Sequence, residues 1–226
     1  MIGLPRVHHR VADSTNERAK ALAGAGAPHG TLVTAGEQTA GRGRQGRTWV
    51  APPGSAVLMS VVLRDPRESL PLAAAVAVAE AVPADVLIKW PNDVLLGGRK
   101  LAGILVEGRP QQGWAVLGIG LNVSTPAEAF PPELRDIATS LAAALPDPPG
   151  TEAVLAALVE RLGVRLASPL DEVLDEWRRR DALLGSEVHW NGGEGTAAGI
   201  DEDGSLLVDT GSGRVALAAG EVHLGR

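Results

Sequence analysis

The chain has 226 residues, 45% hydrophobic and 21% charged, with a formal net charge of -6 at pH 7 and no cysteine. That length can hold one sizeable core and a second small unit, and the missing thiols exclude a disulfide framework, thiolate catalysis and cysteine-ligated zinc. The acidic balance argues against a general nucleic-acid binder; no segment reads as a signal peptide or a membrane span, so the expectation is a cytoplasmic protein without a membrane partner.

In chain order, Ser14-Thr15-Asn16-Glu17 reads as a capping box, followed by a helix over Arg18 to Ala23 that Gly24 and Gly26 end. Thr31 to Ala35 reads as a strand leading into a loop with alternating arginine and glycine, Gly41-Arg42-Gly43-Arg44-Gln45-Gly46-Arg47. The apolar run Ala56 to Leu63 has the composition of a strand buried on both faces. A buried helix is predicted over Leu70 to Val82, and a strand over Val86 to Trp90 that Pro91 stops. A hairpin turned at Gly97-Gly98 leads to a strand over Leu101 to Glu107 and another through Trp114 to Val123, and hairpins in series imply a mixed sheet.

Pro146 to Gly150 is a stiff connector to a helix over Thr151 to Ala167. Ser168-Pro169 reads as the cap and first residue of a further helix carrying Trp177. From Gly185 the pattern changes to short β stretches at Glu187 to Trp190, Thr196 to Ile200, Ser205 to Asp209, Arg214 to Leu217 and Glu221 to Leu224. The predicted organisation is α+β over residues 1–183, with a small β-barrel over 184–226 that is too small to stand alone and packs on the larger unit.

Four segments carry chemistry. In the Arg/Gly loop, glycine allows close backbone approach and arginine offers a rigid fork of donors, a combination suited to closing over phosphate or carboxylate. The loop is neither a Walker A motif nor a dinucleotide fingerprint, and alone it reads equally well as solvated surface or an RNA-touching segment. Lys89-Trp90-Pro91-Asn92-Asp93 exposes Asn92 and Asp93 at a strand end, where they could meet ribose, base or hydrated magnesium, although alone it is more simply a Pro-Asn-Asp turn. Lys100, at the start of an apolar strand, could reach a pocket or simply be solvated. Gly118-Ile119-Gly120-Leu121-Asn122 suits close approach by a ligand, with Asn122 as donor and acceptor, or an ordinary glycine bulge.

Together these segments resemble the biotin–protein ligases. Gly-Arg-Gly-Arg-x-Gly-Arg followed by Trp appears at 41–47 with Trp49, Lys-Trp-Pro-Asn-Asp at 89–93, Lys-Leu-Ala-Gly-Ile-Leu at 100–105, Gly-x-Gly-x-Asn at 118–122 and Ser-Thr-Asn at 14–16, with Gln38 at the family's pocket glutamine. The resemblance runs from Asp13 to Gly225. It implies the fold of a biotin/lipoate ligase catalytic domain, a mixed sheet flanked by helices as in class II aminoacyl-tRNA synthetases, with an SH3-like barrel at the C-terminus.

The implied chemistry uses ATP and Mg2+. The biotin carboxylate attacks the α-phosphate, and a lysine of a biotin carboxyl carrier protein domain then takes the biotinyl group from biotinyl-adenylate. By this resemblance Lys100 and Arg44 are catalytic. Ser14, Thr15, Asn16, Gln38, Arg42, Gly43, Arg44 and Lys100 bind biotin, and Gly41, Arg42, Arg44, Arg47, Trp49, Asn92, Asp93 and Asn122 bind ATP or the adenylate; the magnesium ligands stay unassigned. With about a dozen residues before Asp13, a DNA-binding repressor role is not expected, while a homodimer is permitted. Ala56 stands where many members have asparagine, and Thr48 replaces an often basic residue. Two rivals stay open, a lipoate–protein ligase and a non-enzymatic Arg-Gly nucleic-acid or adaptor module.

Overall fold

Strand β3 (Ala56–Arg64) is the apolar run read from the sequence, and eight of its nine residues are buried. It is an interior strand, next to the central β7, of a seven-stranded sheet with β1 (Arg6–His9), β2 (Leu32–Ala35), β4 (Leu87–Lys89), β5 (Asp93–Leu96), β6 (Arg99–Arg109) and β7 (Trp114–Asn122). The order is β1-β2-β3-β7-β6-β5-β4, with β1 parallel to β2 and the remaining pairs antiparallel, so the sheet is mixed as predicted. The computed structural model describes residues 1–66 and 69–224; Gly225 and Arg226, the end of the predicted C-terminal unit, lie outside them.

The two faces of this sheet have different tasks. On β3 and β7, Val57, Met59, Val61, Leu117, Ile119 and Leu121 join the main core, into which the apolar helix α2 (Leu70–Ala81) packs. Helices α4 (Thr151–Ala167) and α5 (Leu170–Arg178) pack against α2 in turn. Because side chains alternate along a strand, the residues between these point to the other face. There, Val62 and Val116 pack with Ala19 and Ala23 of α1 (Thr15–Gly24), while Ser60, Gly118 and Gly120 extend the same face beyond that small cluster. A lone serine and two glycines leave a depression where α1 begins.

A four-residue helix, α3 (Leu141–Ala144), precedes the connector. Beyond α5, strands β8 (Glu187–Trp190), β9 (Gly193–Ile200), β10 (Leu206–Thr210), β11 (Gly213–Leu217) and β12 (Val222–Leu224) form a five-stranded antiparallel sheet ordered β11-β10-β9-β8-β12. The predicted strands are all present. Barrel closure is not: β11 and β12 are unpaired edges among the described residues. Val188, Ala197, Ile200, Leu206 and Val208 continue the main core, and Trp90 Nε1 donates to Gly204 O at 3.0 Å, so the small sheet is packed on the larger one.

Two local predictions are corrected, and one strand is added. Ser14 takes the N-cap position of α1 but its side chain makes no capping bond, and Glu17 turns to Lys20 and Arg42 instead of back to the cap. The first turn is therefore answered from outside the helix, where Gln38 Oε1 accepts from Thr15 N at 2.7 Å. Pro169 occupies the N-cap of α5, and the Ser168 hydroxyl donates back to Val164 O in α4. Strand β1 was not predicted; its sequence, Arg-Val-His-His, is too polar and short to show a strand pattern.

Asp181 follows α5 and is half-buried, its Oδ1 accepting from Leu183 N at 2.8 Å while Oδ2 is buried without a hydrogen-bond partner. Burial pushes its carboxyl above the ordinary value, with backbone N–H groups of Leu183 and Leu184 opposing. A pKa raised on folding means that the ionised form costs stability at neutral pH, whereas below the unfolded value both states are protonated and the cost is gone. Asp181→Asn is expected to raise Tm at pH 7 by about 2–4 °C, the shift of roughly 1 kcal/mol at this chain length, and thermal melts should show the difference vanishing below about pH 3.8.

Candidate active site

The glycines of β6 and β7 form a bare backbone shelf. A Cβ at Gly118 would come within 2.1 Å of Asn16 Oδ1, and one at Gly120 within 2.5 Å of the Trp49 ring; at Gly103 it would meet the same ring at 3.2 Å. The start of α1 and the indole of Trp49 thus lie where side chains would otherwise be. Gly41 braces the indole from its own loop, accepting from Trp49 N at 3.0 Å and leaving no room for a Cβ beside Trp49 O. Between α1, the shelf and the Arg/Gly loop is a cleft open to solvent.

Ser14, Thr15, Asn16, Gln38, Arg42, Gly43, Arg44, Trp49, Asn92 and Lys100, all singled out in the sequence, line this cleft. Gly41, Arg47, Asp93 and Asn122 do not. Gly41 supports Trp49, Arg47 pairs with Glu221 before β12, and Asp93 pairs with Lys100. Asn122 is 3% exposed; its Nδ2 donates to Thr139 O at 3.0 Å, and its Oδ1 is buried without a hydrogen-bond partner opposite Ala56.

One end of the cleft is neutral, polar and buried. Ser14, Thr15 and Asn16 are 2%, 4% and 4% exposed. Behind them lies Ser60, fully buried in the middle of β3, with Oγ 2.8 Å from Thr15 Oγ1 and 2.6 Å from Asn16 Oδ1. Asn16 Nδ2 donates to Glu107 Oε2 at 2.9 Å. Sequence reasoning missed Ser60 and Glu107. The available signal for Ser60 was a hydroxyl inside an otherwise apolar strand, since a buried polar group needs a partner.

The other end is cationic. The three loop arginines have different partners, and the difference sorts them. Arg42 pairs with Glu17 and, at 3.4 Å, with Glu107. Arg47 pairs with Glu221. Arg44 instead donates to two neutral acceptors, Asn92 Oδ1 at 2.8 Å and Gly220 O at 3.1 Å, so its charge is not cancelled by a carboxylate among the described residues. Gly43 N donates to Arg47 O at 2.7 Å across a turn that places Gln45 at φ 54 and Gly46 at φ 76, folding the loop over the cleft. Glu17 is held below the ordinary carboxylate value by its hydrogen bond from Lys20 and by Arg42.

Lys100 joins Arg44 in the cationic part of the cleft, its partner Asp93 following the Asn92 that Arg44 bonds. Its Nζ is 2.8 Å from Asp93 Oδ1 and 5.9 Å from the Trp49 ring centroid. Its backbone is fixed from both sides: Lys100 N donates to Ile137 O at 2.7 Å and its carbonyl accepts from Thr139 N at 2.9 Å. Such an arrangement suits a ligand with an uncharged polar group at one end and an anionic group at the other.

Comparison with known proteins agrees with this geometry. Residues 8–124 match the biotin/lipoate A/B protein ligase family, and residues 183–225 match the biotin protein ligase C-terminal domain. The bifunctional ligase/repressor BirA of Bacillus subtilis is 36% identical over all of this chain and 75% of its own length. The biotin--[acetyl-CoA-carboxylase] ligase of Mycobacterium tuberculosis is 37% identical over 93% of this chain and 86% of its own. Among solved structures, biotin protein ligase from Aquifex aeolicus in complex with biotin and ATP superposes with a TM-score of 0.86 at 30% identity, covering 98% of each chain. With its own core, cleft and motifs alongside these matches, the chain belongs to the biotin protein ligases of the biotin/lipoate A/B protein ligase family.

Proposed function

We propose that this protein activates biotin with ATP as biotinyl-adenylate and transfers it to a lysine of a carrier domain of a carboxylase. The observation that carries the reading is one cleft with buried hydrogen-bonding groups at one end and Arg44 and Lys100 at the other. In the first step a biotin carboxylate oxygen bonds to the α-phosphorus and pyrophosphate leaves. In the second, the carrier lysine amine attacks the acyl carbon, loses its proton, and AMP leaves with the electrons of the broken C–O bond.

In this reading Ser14, Thr15, Asn16 and Gln38 satisfy the ureido ring, and a buried polar pocket of this kind rejects analogues that would leave its groups unpaired. Lys100 draws the carboxylate and α-phosphate oxygens together, with Asp93 holding the ammonium in place. Arg44 covers the adenylate, Trp49 packs against the nucleotide, and the folded loop keeps water from the mixed anhydride. Gly41 and Arg47 support the loop, Asn92 bounds the nucleotide side, Asp93 acts through Lys100, and Asn122 backs the cleft from the buried end of β7.

Magnesium is proposed to enter with ATP, held chiefly by its phosphates: the described residues contain no group of three or more His, Asp or Glu able to hold a metal ion. We divide the chain at 183/184, the second unit supplying Gly220 and Glu221 to the loop. Among the described residues no helix is long and apolar enough to cross a membrane. The test is to incubate the chain with ATP, magnesium and either biotin or lipoate, following pyrophosphate and label on a biotin carrier domain. Release and labelling with biotin alone are expected. Release with lipoate alone, or none with either, overturns the proposal.

A further inference from the structure

We propose that Glu107, which does not line the cleft, sets the direction of a hydrogen-bond ladder through Asn16 and Ser60 and so makes the Thr15 hydroxyl an acceptor toward the bound ring. This rests on the biotin reading of the neutral end of the cleft. Glu107 is a positioning residue: it acts on Thr15 through two intervening side chains.

The direction follows from counting protons. An ionised carboxylate only accepts, so Glu107 Oε2, 2.9 Å from Asn16 Nδ2, requires the amide nitrogen on its side and turns Asn16 Oδ1 toward Ser60. The Leu105 carbonyl, 3.5 Å from the same nitrogen, favours the same orientation. Asn16 Oδ1 has no proton, so the 2.6 Å contact with Ser60 Oγ consumes the single proton of the serine. The 2.8 Å contact between Ser60 Oγ and Thr15 Oγ1 must then use the proton of Thr15. Gln38 Oε1, 3.1 Å from Thr15 Oγ1, is a second acceptor within reach of that one proton, but the Ser60 contact is shorter and Gln38 Oε1 already accepts from Thr15 N at 2.7 Å, so the proton goes to Ser60.

The result is two acceptors side by side at the cleft, Thr15 Oγ1 and Gln38 Oε1, matching the paired N–H donors of a cyclic urea. Ser60, Thr15 and Asn16 are too buried for water to reverse the sequence. Lys20 Nζ at 3.2 Å and Arg42 Nη2 at 3.4 Å flank Glu107, setting a charged anchor at the head of the ladder. Without that anchor Asn16 could turn its amide over, the serine and threonine protons would reverse, and Thr15 would present a donor to a donor.

Two variants of Glu107 separate the ladder from the ion pairs. Glu107→Gln loses the charge but keeps an acceptor for Asn16; Glu107→Ala loses both. Glu107→Ala is expected to raise KM for biotin roughly 10- to 100-fold, the loss of about one or two well-placed hydrogen bonds, while KM for ATP and kcat stay within about three-fold. Glu107→Gln should keep most of the biotin affinity. In a Ser60→Ala background, where the ladder is already cut, Glu107→Ala should have almost no further effect on biotin KM. A Glu107→Ala variant that moves both KM values together, a Glu107→Gln variant equal to it, or additive effects with Ser60→Ala would each overturn the inference. Absence of biotin-dependent pyrophosphate from the wild-type chain would instead overturn the biotin reading itself.

Discussion

Lys100→Ala is expected to lower the rate of biotin-dependent pyrophosphate release by about 10²- to 10³-fold, the usual consequence of removing one fixed charge from a developing transition state. The reason lies in the first step, where a carboxylate must approach a phosphate and both are negative. Lys100 lines the cationic part of the cleft, held by Asp93 at 2.8 Å and by main-chain bonds to Ile137 and Thr139. A mobile ammonium would spend part of its binding energy on being ordered; this one is placed beforehand. Lys100→Arg should not restore activity, because a planar fork replaces a point charge in a space bounded by Trp49 and Gly103. The second step has a neutral amine as nucleophile and no such repulsion. Preformed biotinyl-adenylate should therefore recover most carrier labelling in Lys100→Ala, and that recovery also excludes misfolding. A rate of pyrophosphate release within a few-fold of wild type would remove Lys100 from the role assigned to it.

The parts of this arrangement legible in the sequence were those with an unusual local composition. Arginine alternating with glycine, proline ending a strand before Asn92, and two glycines within β7 each break a secondary-structure pattern, and each meets the cleft or supports a residue in it. The C-terminal strands were legible because glycine turns separate them at short intervals. The residues missed are those whose meaning depends on pairing between distant strands. Ser60 looks like a tolerated hydroxyl until β3 and β7 are in register, opposite Gly118, with Asn16 occupying the space that glycine leaves. Glu107 looks like a solvated end of a strand until α1 brings Asn16 and Lys20 to it. The capping box failed for a related reason: local geometry permits Glu17 to bond back to the helix start, but two cations from outside the cap offer it stronger partners.

The small C-terminal sheet is joined to the reaction by main-chain and side-chain contacts. Gly220 O takes one bond of Arg44, Glu221 takes Arg47, and Trp90, two residues before Asn92, is tied to Gly204 O. The loop is therefore held from both units, and its closure depends on the packing between them. Arg47, whose partner is an acid outside the cleft, belongs to that latch. In the proposed reading Arg44 joins the latch to the ligand, since its two neutral partners fix the guanidinium without cancelling its charge.

Arg44→Ala is accordingly expected to release the intermediate. Charge-assisted hydrogen bonds contribute about 1.5–3 kcal/mol each, so losing the guanidinium should accelerate dissociation of biotinyl-adenylate by about 10²-fold or more. The adenylate would then acylate exposed lysines indiscriminately, and a bystander protein such as serum albumin, added to biotin, ATP and magnesium, should become labelled. Adenylate formation should suffer less than in Lys100→Ala, because the charge that aligns carboxylate and phosphate is still present. Arg44→Lys keeps a cation but cannot bond Asn92 Oδ1 and Gly220 O in the same fork, so its leakage should fall between wild type and alanine. Arg47→Ala, which loosens only the latch to Glu221, should leak less than Arg44→Ala. Stopped-flow or filter measurement of adenylate dissociation decides the matter: an Arg44→Ala off-rate within about two-fold of wild type, or leakage from Arg47→Ala equal to it, would show that closure of the loop rather than the uncancelled charge of Arg44 retains the intermediate.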